Sequence, residues 1–243
     1  MRKVVDELDP EKKSAVVLAG SWLRGDAHAG SDIDVWVIGR RGFRDTSLER
    51  WGRTFSVHYN TPAGERRSMR DPAWLGGSVP GWRSARILRD PHGSAARLRS
   101  EALRFRWSSV RRARDRYLVD QLVGWAEEAM KLLRAMETRE RETASVQRNL
   151  LANRMAMLEA LRLEHLWGTE NGLWEWVGRH AGRAFRSAQE SALSTHDAGW
   201  RESCEGALQL YALTARANRR RLKGGKRRLV AAACRRAGYP IDG

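Results

Sequence analysis

Asp32 and Asp34 lie one residue apart in the segment DIDVWVIG (32–39), which has the alternating apolar pattern of a β-strand. Alternate residues of a strand point to the same side of the sheet, so the two carboxylates share one face. Adjacent carboxylates repel each other and are costly to bury without a partner. A divalent cation removes this cost, and Mg²⁺ prefers carboxylate oxygens together with phosphate oxygens and water. The pair therefore predicts a metal site with Asp32 and Asp34 as ligands.

Gly20 and Ser21 follow a second apolar run, SAVVLAG (14–20), which is typical of a short buried strand. If a helix begins at this pair, the N–H groups of its first turn attract anions. Gly20 lets the backbone approach a triphosphate, and the Ser21 hydroxyl can donate to a phosphate oxygen. The Gly-Ser pair and the Asp-x-Asp pattern are each common alone. Their combination, with nine residues between Ser21 and Ser31, is a more specific signal. The combination predicts metal-assisted transfer from a nucleoside triphosphate.

The stretch GSWLRGDAHAGSDIDVWV (20–37) resembles the signature of the DNA-polymerase-β-like nucleotidyltransferase superfamily. Within it, the layout is most similar to kanamycin nucleotidyltransferase and small bacterial relatives. The segments RILRDPHGSAARL (86–98) and YLVDQLVGWAEEAMKLL (117–133) also resemble parts of those enzymes. The resemblance implies a Mg²⁺-dependent enzyme that moves a nucleoside monophosphate from a triphosphate, expected to be ATP, to an acceptor hydroxyl and releases pyrophosphate. It implies a small-molecule acceptor such as an antibiotic or a metabolite.

The resemblance also assigns roles to individual residues. The metal ligands are Asp32 and Asp34, and both count as catalytic. The residues expected to contact the nucleotide are Gly20, Ser21, Arg24 and Ser31.

The superfamily's third carboxylate is missing from the segment where it is expected, the predicted strand RTFSVHYN (53–60). Ser56 occupies the expected position, and His58 follows on the same face. His58 can act as a catalytic base or as a metal ligand, although such a histidine more often only caps a polar strand edge. The alternatives are one tightly held metal, a site completed by another residue, or an inactive relative that binds nucleotide or RNA.

In the enzymes that this sequence resembles, a carboxylate on the helical bundle deprotonates the acceptor hydroxyl. Gly124 stands at the best-matching position here and cannot act as a base. Asp120 and Glu127 lie about one helical turn to either side, on the same face. Asp120 is the preferred candidate, and the alternative for each of the two acids is a surface ion pair with Arg116 or Lys131.

The order of elements predicts an α+β protein: a mixed sheet with flanking helices, followed by an all-α bundle. Residues 1–13 are expected to form a helix, and another is expected to begin at Thr61-Pro62, with Thr61 as N-cap and Pro62 in the first helical position. Strand patterns cease after SARILRD (84–90). The predicted domains are a nucleotidyltransferase domain over 1–105 and an acceptor-binding helical bundle with a basic C-terminal segment over 106–243. Helices are expected near the following ranges of the bundle: 172–192, 200–222 and 226–237.

The chain of 243 residues carries a net charge of +16, which favours anionic partners. Two segments, RFRWSSVRRARDR (104–116) and RANRRRLKGGKRRLVAAACRR (216–236), concentrate basic residues and could contact RNA phosphates. The alternative interpretation of these two segments is a basic helical face that is exposed to solvent. Because aminoglycosides are polycations, the charge favours an anionic small acceptor, or a tRNA-like acceptor as in nucleotidyltransferase toxins.

The compartment is predicted from cysteine usage and from the absence of apolar segments. Neither Cys204 nor Cys234 belongs to a closely spaced pattern of metal ligands, so both are expected to be thiols in a reducing compartment. No signal-peptide pattern and no membrane-spanning run is present in the sequence. A cytoplasmic protein without membrane contact is therefore expected.

Overall fold

The computed structural model describes residues 1–195 and 199–241. The chain divides into two compact units, residues 1–110 and 111–243. The first contains a mixed five-stranded sheet with helices, and the described part of the second contains helices without strands. The predicted α+β fold class is thereby confirmed. The assignment of the two parts to nucleotide binding and to acceptor binding stays a prediction.

The first unit contains five strands and five α-helices. The strands are β1 (Ala15–Leu18), β2 (Ile33–Ile38), β3 (Arg44–Arg50), β4 (Arg53–Asn60) and β5 (Arg86–Arg89). The helices are α1 (Arg2–Leu8), α2 (Ser21–Arg24), α3 (Pro62–Ser68), α4 (Leu75–Ser84) and α5 (Ser94–Leu103), followed by a 3₁₀ turn at Trp107–Val110. The helix expected over 1–13 ends at Leu8, because Asp9 precedes Pro10 and has left the helical conformation.

The strand order in the sheet is β3-β4-β2-β1-β5. β2 and β4 run parallel, and the other neighbouring pairs are antiparallel. The register of the parallel pair places Asp34 beside Ser56 and Trp36 beside His58. This register determines which polar side chains meet on one face of the sheet.

The two faces of the sheet are covered by different helices. On one face, Val35 and Val37 of β2 pack in a buried cluster with Val4 of α1 and Val57 of β4. On the other face, Trp36 packs against Trp82 of α4, with ring centroids 5.2 Å apart. The alternation of β2 therefore directs its valines to one core and Asp34 and Trp36 to the opposite side.

The second unit contains six α-helices in its described part. They are α6 (Arg111–Glu137), α7 (Arg141–Arg162), α8 (Leu173–His180), α9 (Arg183–Ala192), α10 (Trp200–Ala217) and α11 (Gly224–Arg236). The single helix expected over 172–192 is two helices, because Gly182 adopts a φ of 96° between them. The hydroxyl of the buried Tyr211 donates to the Leu122 carbonyl at 2.8 Å and links α10 to α6. Within 1–195 and 199–241, no helix has both the length and the apolar character that a membrane crossing requires.

Candidate nucleotide site

Gly20 brings the start of α2 directly against the Asp34 carboxylate. The Ala19 N–H donates to the Asp34 carbonyl at 2.9 Å, which joins the end of β1 to β2. Gly20 then caps α2 with φ 78° and ψ −160°, a region open essentially to glycine alone. A Cβ added at Gly20 would lie 1.7 Å from Asp34 Oδ2. The predicted phosphate-binding backbone and one predicted metal ligand are therefore adjacent.

The environment of Asp34 favours a bound cation. Burial raises the pKa of this carboxyl, the negative charge of Asp32 raises it further, and the positive charge of Arg24 opposes both. Among the residues that the structure describes, no side chain or N–H group donates a hydrogen bond to either carboxylate. A half-buried acid beside a second acid is stabilised in its charged form by a cation. This pair of oxygen donors fits one Mg²⁺ whose remaining ligands are phosphate oxygens and water.

Arg24 and Ser31 lie on the segment that joins α2 to β2. The Arg24 Nε donates to Asp26 Oδ2 at 3.2 Å in an exposed ion pair. The Ser31 hydroxyl oxygen accepts the His28 N–H at 2.9 Å, which folds the loop before the aspartates. Within residues 1–195 and 199–241 the hydroxyl of Ser31 donates to no acceptor, so its hydrogen is available to a phosphate oxygen. Contacts of Arg24 and Ser31 with the phosphates of a nucleotide stay a prediction.

Ser56 stands beside Asp34 in the parallel register, where a third carboxylate is expected. Neighbouring strands lie about 4.8 Å apart, so a carboxylate at position 56 would reach the same space as Asp34. Across the described ranges, no three His, Cys, Asp or Glu side chains are grouped closely enough to hold a metal. The site therefore offers two acidic ligands.

Comparison with known proteins locates the family signal in this same region. Residues 1–62 match the model of the nucleotidyltransferase domain family. The N-terminal part of the chain carries a nucleotidyltransferase domain of the polymerase-β-like superfamily. The matched segment includes Gly20, Ser21, Asp32, Asp34 and Ser56, so it covers both carboxylates and the substituted position.

A solved structure supports the fold over most of the chain. The nucleotidyltransferase-like protein from Exiguobacterium sibiricum 255-15 shares 14% sequence identity with it and superposes with a TM-score of 0.58. The match covers 91% of this chain and 76% of that protein. At this identity the likeness concerns the fold alone. No curated protein matches the sequence.

His58 of the nucleotidyltransferase domain has a different setting from the one predicted. Its Nδ1 lies 2.7 Å from Asp45 Oδ1, and its Nε2 lies 2.9 Å from Glu65 Oε1. Both ring nitrogens are hydrogen-bonded, and the residue aligns with Trp36, two positions along the strand from Asp34. The expected role as a base or metal ligand requires a nitrogen that these contacts already occupy. His58 is therefore left out of the proposed site.

The acid–histidine contacts also shift the pKa of His58. Burial alone would lower the pKa of His58, but hydrogen bonds to Glu65 and Asp45 outweigh it and raise the pKa above its ordinary value. Burial would raise the pKa of Glu65, and the hydrogen bonds from His58 and Trp82 outweigh it and lower that pKa. Both shifts favour the charged forms of the pair, a protonated His58 and an ionised Glu65, and a histidine that holds its proton more tightly is the weaker candidate for a catalytic base.

Asp120 lies on α6 in the second unit. Its Oδ1 accepts a hydrogen bond from Lys226 Nζ at 2.6 Å, in an ion pair whose side chains are about half exposed. The partner of Asp120 is thus neither Arg116 nor Lys131. For Glu127 the expected surface pairing is confirmed, because Lys131 pairs with Glu127 and also with Glu128. The role of Asp120 as the acceptor base stays a prediction.

Several residues that the fold brings to this domain have no clear signal in the sequence. Asp45 lies on the unpredicted strand β3, and Glu65 lies in the first turn of α3. Trp22 directly follows the Gly-Ser pair, and the guanidinium of Arg53 lies over its ring, 5.3 Å from the centroid. The only sequence signal was the Thr61-Pro62 helix start, which places Glu65 in a first turn.

Proposed function

We propose that this protein transfers a nucleoside monophosphate from a nucleoside triphosphate to an acceptor hydroxyl and releases pyrophosphate. The observation that carries the proposal is the contact between the Gly20 backbone and the Asp34 carboxylate. This contact places the start of α2, which a triphosphate can approach, beside a pair of carboxylates that a cation can bind. The nucleotidyltransferase domain match over 1–62 supports the same reaction class.

The proposed metal is Mg²⁺, held by Asp32 and Asp34. When bound, it neutralises the two carboxylates and polarises the phosphate oxygens of the nucleotide. The two-carboxylate donor set fits an ion that keeps phosphate and water ligands.

The protein's own groups bind and orient the triphosphate. The absence of a side chain at Gly20 lets phosphate oxygens reach the backbone, and the Ser21 hydroxyl donates to one of them. Arg24 adds positive charge, and Ser31 supplies a second hydroxyl donor. Together they would hold the α-phosphorus in place for the attacking oxygen.

The proposed reaction is a displacement at the α-phosphorus. The acceptor oxygen forms a bond to this phosphorus while the bond to the bridging oxygen of the β-phosphate breaks, and pyrophosphate leaves with the electron pair. The acceptor hydroxyl loses its proton to a base, for which Asp120 is the proposed group.

The test is pyrophosphate release from each triphosphate with Mg²⁺ and a panel of hydroxyl acceptors: neutral, anionic and cationic small molecules, and RNA. We expect release that depends on one acceptor class and falls at least about a hundredfold in Asp34→Asn. Glu49→Gln, an exposed acid on β3, is the matched control and should behave as wild type. Wild-type release that persists in Asp34→Asn would contradict the proposed site.

A second candidate function is nucleotide binding without transfer. The observation that favours it is Ser56, which stands beside Asp34 without a carboxylate. Ser56→Asp separates the two candidates, with Ser56→Asn as its uncharged control. Turnover that appears only in Ser56→Asp supports a binding protein derived from an enzyme. Wild-type turnover that Ser56→Asp leaves unchanged or raises supports the transferase.

A further inference from the structure

A cavity of about 550 Å³ opens on the first unit, between α3, α5 and the segment that follows α5. The residues that give it its character are Arg66, Arg70, Glu101, Arg104, Phe105 and Arg106. None of them belongs to the candidate nucleotide site. Its volume is in the range of cavities that hold small molecules or nucleotide-sized groups.

The cavity has an excess of positive charge that the protein does not neutralise. Its one acid, Glu101, accepts hydrogen bonds from Arg66 Nε at 2.8 and 3.1 Å, so the charges of these two residues neutralise each other. Arg70, Arg104 and Arg106 are exposed, and within the described ranges none of the three has an acidic partner. Three guanidinium groups around one opening create a positive potential that attracts anions, and guanidinium matches phosphate geometry.

The cavity also has an aromatic surface between its cationic groups. Phe105 lies between Arg104 and Arg106 in the chain and is half-buried. Its ring meets Trp107 edge-on, with centroids 5.5 Å apart, which fixes its orientation. The Ser109 hydroxyl donates to the Arg106 carbonyl at 2.7 Å and secures the turn. Alternating aromatic and cationic groups are the combination that binds bases by stacking and phosphates by charge.

We propose that this cavity binds single-stranded nucleic acid. Arg70, Arg104 and Arg106 contact successive phosphates, and Phe105 stacks on a base. Three separate guanidinium groups around an open cavity suit a chain of phosphates better than a single phosphate ion. The net charge of +16 supplies the long-range attraction for such a ligand. This site does not depend on the proposed transfer reaction.

The test is fluorescence anisotropy of labelled oligouridylate and oligothymidylate at several salt concentrations. We expect Arg70→Ala, Arg104→Ala and Arg106→Ala each to weaken binding about three- to tenfold. Each should also reduce the slope of log affinity against log salt by about 0.7. Phe105→Ala should weaken binding roughly tenfold while leaving that slope unchanged, because stacking releases no counterions.

Matched controls lie on the two helices that border the cavity, outside its lining. Arg67→Ala on α3 and Arg99→Ala on α5 also remove exposed arginines and should bind as wild type. Thermal unfolding by circular dichroism checks each fold, and Arg104→Gln repeats the test with an uncharged side chain of greater length than Ala. Losses in the controls equal to those in the cavity variants would overturn the proposal. So would failure of the wild type to bind either strand, or full displacement of a bound strand by an equal concentration of pyrophosphate.

Asp34→Asn distinguishes this site from the proposed active site. We expect it to abolish binding of the Mg²⁺-nucleotide and to leave oligonucleotide affinity within twofold of wild type. Loss of oligonucleotide binding in Asp34→Asn would mean that the strand occupies the carboxylate site, and would overturn the proposal.

Discussion

Gly20 occupies a position that only glycine can fill, because its α-carbon faces the Asp34 carboxylate at contact distance. We expect Gly20→Ala to lower the free energy of unfolding by at least about 2 kcal/mol, from backbone strain and the displaced carboxylate together. It should also weaken Mg²⁺-nucleotide binding at least tenfold. Urea unfolding and calorimetry measure the two effects.

Gly25 provides the control for Gly20. Its φ is also positive, at 83°, but an added Cβ meets nothing within 4 Å. Gly25→Ala should therefore cost only about 1 kcal/mol of backbone strain and leave nucleotide binding unchanged. Equal losses in the two variants would show that contact with Asp34 is irrelevant to the Gly20 effect.

The charged pair of His58 and Glu65 makes stability depend on pH. The raised pKa of His58 gives stability that is full below its ordinary value of 6.5 and is lost as the pH rises through the folded-state value. The lowered pKa of Glu65 gives stability that is present above 4.5 and is lost as the pH falls through its folded-state value. The pair therefore stabilises the fold most between these two ordinary values.

We expect His58→Gln to lower the free energy of unfolding by about 1.5–3 kcal/mol at about pH 5.5, as is usual for hydrogen bonds to charged groups. The loss should shrink as the pH is raised to about 9, because the stability that comes from the raised pKa of His58 is lost as the histidine releases its proton. Urea unfolding of both proteins at the two pH values measures this. A loss that is the same at both values would mean that the pair contributes through packing rather than through charge.

At the scale of elements, the close contact of α9 and α10 depends on Gly206. A Cβ at this position would lie 2.8 Å from the Ala188 carbonyl oxygen and 2.8 Å from the Ala192 backbone nitrogen. Backbone atoms cannot move aside as a flexible side chain can. We therefore expect Gly206→Ala to lower the free energy of unfolding by about 1–3 kcal/mol, measured by urea unfolding.

Gly124 on α6 is the matched helical control. It is exposed, and an added Cβ meets nothing within 4 Å. Alanine is the better helix former, so Gly124→Ala should stabilise the protein by up to about 1 kcal/mol. If Gly206→Ala were also stabilising, the two helices would not be in the contact described.

The elements that the sequence predicts are those whose signal is local. β2 has alternating apolar residues, and α3 has a Thr61 cap that accepts the Gly64 N–H at 3.0 Å. β3 was missed because its sequence, RDTSLER, is mostly charged and exposed, with no apolar alternation. Its existence depends on pairing with β4 across a tight turn, in which Trp51 and Gly52 have φ values of 51° and 66°.

The same distinction holds for the candidate site. Gly20, Ser21, Asp32 and Asp34 could be proposed from sequence because their spacing within one segment carries the signal. The partners of His58 could not, because Asp45 and Glu65 meet it only through the pairing of β3 with β4 and the packing of α3. The position of Ser56 beside Asp34 likewise requires the parallel register of β2 and β4.

At the scale of the whole molecule, the net charge and the candidate site have different effects on binding. A net charge of +16 raises the local concentration of any polyanion, whereas selection of a nucleotide requires the two carboxylates and the Gly20 backbone. Binding that arises from overall charge alone would be lost at high salt and would not need Mg²⁺. Binding at the proposed site should need Mg²⁺ and persist.

Calorimetry of each nucleoside triphosphate, with and without Mg²⁺ and at physiological salt, shows directly whether Asp32 and Asp34 bind a metal–nucleotide complex. The wild type is compared with Asp32→Ala plus Asp34→Ala, and with Asp6→Asn plus Glu49→Gln, which removes two exposed acids from the same unit. We predict Mg²⁺-dependent binding in the wild type and in the Asp6–Glu49 variant, and none in the Asp32–Asp34 variant. Tight binding that survives the loss of Asp32 and Asp34 would show that the nucleotide is bound elsewhere on the protein.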